Sequence, residues 1–127
     1  MGSYLLTRYG DLLWVGTEAH MRVTATRYRI PDVVAILGGR PKQRFITEPP
    51  FIVVEIISPD DRVDEMEERL RDYLVFGIPN IWVLNPRFRQ AFVRTAGAAI
   101  EITDGFLRTQ DPDLEIPLAE IFADLAD

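Results

Sequence analysis

A chain of 127 residues has the length of one ordinary domain, and 47% hydrophobic content is enough to fill a core without covalent staples. With no cysteine and one histidine, His20, it excludes disulfide frameworks, thiolate metal sites, cysteine nucleophiles and any site that needs two imidazoles from one chain. The net charge of −6 arises at the end of the chain, where six acids and no base lie from Gln110 onward; a globally basic nucleic-acid binder is excluded, a local basic groove is not.

In chain order, residues 3–9 read as a short helix and Leu12-Leu13-Trp14-Val15 as a short strand closed by Gly16. His20 to Ala25 alternates polar and apolar residues, which predicts a strand with one wet face. Ile30 to Leu37 (IPDVVAIL) is apolar enough for a strand buried on both faces, opened by Pro31. The connection from Gly38 to Pro50 is rich in Gly, Pro and bases. Its Arg40, Lys42 and Arg44, beside Phe45, form the one local basic group in a loop and are candidate phosphate contacts. The most apolar run, Phe51 to Ser58 (FIVVEIIS), is the expected central strand.

A helix is expected next, with Ser58 as its cap, Pro59 in the first helical position and Asp61 completing a capping box. Val63, Met66, Leu70, Tyr73 and Leu74 make its apolar stripe, and Gly77 before Ile78-Pro79 ends it. Asn80 to Leu84 is a further strand, so a parallel crossover is implied. Short strands follow at Gln90 to Thr95, Ala99 to Thr103 and Phe106-Leu107, then a strand ending at Pro117 and an acidic helix carrying Leu118, Ile121, Phe122 and Leu125. The expectation is an α/β fold over residues 1–127 as a single domain: a mixed β-sheet with one principal crossover helix and an antiparallel C-terminal extension. No apolar run approaches the roughly 18 residues that span a bilayer, and the start has no basic region followed by a long apolar stretch. A cytoplasmic protein without a membrane partner is expected.

Two acids stand out. Glu55 lies in the most apolar run with no polar neighbour, and burying an unpaired carboxylate costs several kcal/mol, so a cation, a metal or a proton must accompany it. Asp32 opens the other strand that reads as doubly buried. Two carboxylates on neighbouring central strands can converge on a hard divalent cation. The alternative is that Asp32 only begins its strand while Glu55 pairs with a buried arginine such as Arg69.

RIPDVVAIL, EPPFIVVEIISPDDR and a helix ending in RLRDYLVFGIPNIWVLNP, in that order, resemble the Uma-type restriction endonuclease family of the PD-(D/E)XK nuclease superfamily, from about Glu18 to Phe122. The resemblance implies a restriction-endonuclease-like fold and a metal-dependent phosphodiesterase site. Asp32 matches the aspartate of the family's PD and Glu55 its second acid. Magnesium or manganese would sit between these carboxylates and the Ile56 carbonyl. Two departures bear on activity. Where the superfamily has lysine two residues after the second acid, Ile57 stands; where the Uma-type branch has lysine on the following helix, Arg69 stands. Arginine neutralises phosphate but does not exchange a proton near neutral pH. Lys42, the one lysine, is a substitute donor only if its loop reaches the site. Relatives also carry a longer N-terminal helical segment with an additional acid; Glu18 is the residue here that could approach in its place. The implied function is a magnesium-dependent DNA endonuclease, weak or degenerate, working as a homodimer. The alternative is a non-catalytic module binding protein or nucleic acid, with Arg69 neutralising Asp32 and Glu55.

Overall fold

The structure is a computed structural model and describes residues 1–125. The elements are α1 (Gly2–Tyr9), β1 (Leu13–Thr17), β2 (Met21–Arg22), β3 (Tyr28–Arg29), β4 (Val33–Leu37), β5 (Ile52–Ile56), α2 (Val63–Phe76), β6 (Asn80–Asn85), β7 (Gln90–Arg94), β8 (Ala99–Glu101), β9 (Phe106–Arg108), β10 (Glu115–Pro117) and α3 (Leu118–Leu125). Six strands form one mixed sheet in the order β1-β4-β5-β6-β7-β8, and within it β5 and β6 alone run parallel, joined across one face by α2.

The central strands are apolar on both sides because both faces of the sheet are covered. Ile52, Val54, Trp82 and Leu84 face α1, α3 and the β9–β10 pair, meeting Leu5, Leu107, Ile116 and Ile121. Val34, Val53, Ile81 and Val83 face α2, meeting Met66, Leu70 and Tyr73, with Met21 and Ile46 closing the margin.

Four expectations change. β9 does not extend the main sheet; it pairs with β10 in a separate ribbon under the sheet. The strand expected over His20 to Ala25 shrinks to Met21-Arg22, which turns back and pairs with Tyr28-Arg29. Gly16 does not close β1 but lies within it, where a Cβ would come within 2.5 Å of the Trp14 ring. The long helix begins at Val63, not Pro59. Asp61 Oδ2 accepts from the Ser58 N–H at 2.8 Å and the Asp61 N–H donates back to the Ser58 carbonyl, so the Ser-Pro-Asp-Asp segment closes its own turn instead of capping a helix. Val63 is consequently 83% exposed and leaves the buried stripe. The other end is as expected: Gly77 takes φ +95°, donates to the Tyr73 and Leu74 carbonyls, and Ile78 donates to Tyr73, a Schellman arrangement.

Candidate active site

Side chains alternate along a strand, so register determines which of them meet. Val33 is paired with Val54 and Val34 with Val53, which sets Asp32 opposite Glu55. Val53 faces α2, and Glu55, two residues on, shares its side; Asp32 shares the side of Val34 in the same way. The two acids expected to converge therefore do so, at the end of the β4–β5 pair and beneath the crossover helix.

Their surroundings differ. Asp32 is half-buried and its Oδ2 accepts from the Ile56 N–H at 2.7 Å, a bond that ties the start of β4 to the end of β5. Glu55 is 3% exposed. Its Oε1 accepts from the Tyr73 hydroxyl at 2.5 Å, and Arg69 Nε lies 3.7 Å from the same oxygen. Burial raises the Glu55 pKa from 4.5 to about 7; the Tyr73 hydrogen bond and the Arg69 charge oppose the rise and the Asp32 carboxylate adds to it. Burial, aided by the charge and hydrogen bond of Glu55, also raises the Tyr73 phenol above its usual range.

Arg69 reaches the site without satisfying it. Its Nε is buried and has no hydrogen-bond partner among the described residues, while Nη2 donates only a weak bond to Met66 Sδ at 3.5 Å. The expected alternative, in which Arg69 neutralises both acids, is met only for Glu55 and only as a charge contact, since a separation of 3.7 Å is not a hydrogen bond. Tyr73 is the group that sequence reasoning misses: its place on the apolar stripe accounts for a fully buried ring and says nothing of the hydroxyl. The available signal was spacing, because Tyr73 stands one turn after Arg69 on the stripe that covers Glu55.

Among the described residues, no group of three or more His, Cys, Asp or Glu side chains is placed to hold a metal. Glu18 is exposed, at φ +53° just beyond β1. Lys42 sits in the loop that joins the far ends of β4 and β5 and makes no ion pair with either acid, so it does not replace the family's lysine. Arg40, Lys42 and Arg44 instead line a shallow groove of about 580 Å³ with Trp14, Glu18 and His20.

The profile described as "Uma2: Putative restriction endonuclease" matches residues 3–124. The chain belongs to the Uma2 family. In fold it is similar to the crystal structure of "a putative nuclease belonging to DUF820" from Anabaena variabilis ATCC 29413, with a TM-score of 0.75 and 15% identity over 96% of this chain and 75% of that one. No curated protein matches. This Uma2 chain thus has a nuclease fold with Asp32 and Glu55 where two central strands end side by side. No helix among the described residues is long and apolar enough to cross a membrane.

Proposed function

We propose that the chain is a slow, magnesium- or manganese-dependent DNA endonuclease whose cation is held by Asp32, Glu55 and the Ile56 carbonyl. The observation that carries this reading is the cross-strand pairing that sets the two carboxylates on one face, one of them buried and without a full counter-charge. The donor set fits a hard cation. Tyr73 occupies Glu55 Oε1 and Ile56 occupies Asp32 Oδ2, which orients the remaining oxygen of each carboxylate. With no third acid gathered there among the described residues, the other coordination positions would fall to water and substrate phosphate, the usual arrangement for magnesium. When bound, the cation supplies Lewis acidity toward a phosphate oxygen and makes water a better nucleophile.

The chain's own residues set the rate. Arg69, always protonated, stands beside Glu55, and its charge would attract a phosphate brought to the cation. It does not exchange a proton near neutral pH, so the step a lysine would assist is left to solvent. The second reading, a non-catalytic nuclease-fold module, is favoured by the Arg69–Glu55 contact, which lowers the need for a metal. Manganese calorimetry together with cleavage of plasmid and single-stranded DNA separates the two. The first reading expects weak binding that vanishes in Asp32→Ala, and slow cleavage that vanishes with it. Binding by Asp32→Ala as tight as that of the parent rejects this pair as the centre. Assembly as a homodimer, which would present two such sites to two strands, is read by light scattering at high micromolar concentration, where a monomer rejects it.

A further inference from the structure

The loop over residues 38–50 is held against the β2–β3 ribbon by backbone pairing: Ile46 donates to the His20 carbonyl at 2.9 Å and accepts from the Arg22 N–H at 2.8 Å, and its side chain is buried. This fastening brings three rings together on the surface. Tyr28 meets the Phe45 ring edge-on with centroids 5.4 Å apart, and His20 lies 6.2 Å from the same ring. Because the backbone bonds and Ile46 already secure the loop, the rings are not needed for that task, and Tyr28 stays 45% exposed.

The cations beside the rings belong to the half of the bases that no acid engages among the described residues, and three of them stand within five residues of one loop. Arg27, Arg29, Arg71 and Arg94 each pair with an acid on α2, whereas Arg40, Lys42 and Arg44 form no ion pair among the described residues. Arg44 instead lies over the Phe45 ring at 5.7 Å. Glu18 is the one acid lining the groove these three cations share with His20.

We infer that Tyr28, Phe45 and His20, with Arg40, Lys42 and Arg44, form a platform for a single strand of nucleic acid, bases stacked on the rings and phosphates against the cations. Exposed rings flanked by unpaired cations are what such a strand requires, since every base has a face to stack and every nucleotide a phosphate. A duplex keeps its base faces to itself and would gain only the charge. Tyr28 also stands four positions before Asp32 in the chain, a path of at most about 14 Å. The inference rests on the proposed nuclease reading for its biological sense, but its test does not.

Binding is read by fluorescence anisotropy with chelator and no divalent cation, using labelled oligothymidylate and oligouridylate of about twelve nucleotides and a duplex of the same length. Both single strands should bind at least about tenfold more tightly than the duplex. Tyr28→Ala, a surface change that leaves the loop's backbone bonds intact, should weaken single-strand binding about tenfold, and Tyr28→Trp should retain it. Arg44→Glu should weaken binding and reduce the logarithmic salt slope by about 0.7 or more. Equal affinity for duplex and single strand, or Tyr28→Ala binding like the parent, overturns the inference. Since no metal is present, failure here leaves the Asp32–Glu55 reading standing, and failure of manganese binding leaves this one standing.

Discussion

Helix α2 carries two rows of polar side chains that meet opposite fates. On its flanks Asp72 receives Arg29 at 2.7 Å and Arg27 at 2.8 Å, Glu68 receives Arg29 at 3.0 Å, and Glu67 takes both guanidinium ends of Arg94. These pairs carry full counter-charges, although Arg94 Nε, like Arg69 Nε, is buried without an acceptor, and each fastens a neighbouring element, β3 on one side and β7 on the other. On the inward row Arg69 and Tyr73 face Glu55, which is buried and receives one hydrogen bond, from Tyr73, and only a charge contact at 3.7 Å from the guanidinium. The pairing beneath the helix is looser than on the flanks, which is what the proposed cation site requires. The flanks hold the scaffold, and the inward row is where the proposed chemistry would sit.

The sharpest way to break this comparison is through the Glu55 proton. With its folded pKa near 7 against 4.5 unfolded, Glu55 holds its proton longer in the folded state, so its favourable contribution is full below pH 4.5 and is lost as pH rises through 7. Relative to Glu55→Gln, the metal-free parent should lose on the order of 3 kcal/mol of stability between about pH 4.5 and pH 8, read by urea denaturation at each pH. Manganese should erase that loss by favouring the anion. A pH-independent difference between parent and variant would show the inward row to be as closed as the flanks.

A smaller effect is expected from Arg69→Lys, which replaces a fixed charge with a compact ammonium able to exchange a proton once its surroundings lower its pKa. Metal-dependent cleavage should rise about tenfold, or roughly 1.4 kcal/mol in the barrier, and Glu55→Ala in that background should abolish it. Brisk cleavage by the parent, unchanged in Arg69→Lys, would deny Arg69 the lysine's place.

The smallest effect belongs to the flanks. Asp72→Ala removes the shared acceptor of Arg27 and Arg29, which are 50% and 18% exposed, so solvent screens much of the loss. A cost of about 1 kcal/mol is expected, with faster amide exchange confined to the β2–β3 ribbon. Exchange that quickens across the whole sheet would assign the pair a role in global stability.

Local pattern determined much of this protein. One acid in an apolar run, another at the mouth of its neighbour, a 3.6-residue stripe and the Gly77 stop are read from adjacent residues, and the crossover follows from the order of strand, helix and strand. The helix start escaped because Ser-Pro-Asp-Asp suits a turn as well as a cap, and the competing hydrogen bonds differ by too little to separate in sequence. What only the tertiary structure decided are pairings between distant segments: Tyr73 with Glu55, Arg29 with Asp72, and Phe45 with Tyr28 across the Met21–Ile46 bridge. A buried ring is called for by the stripe whether or not its hydroxyl finds an acid, and a loop aromatic shows no periodicity at all. Partners such as these are assigned by sheet register and helix placement, which depend on the packing of the whole chain and not on any window of it.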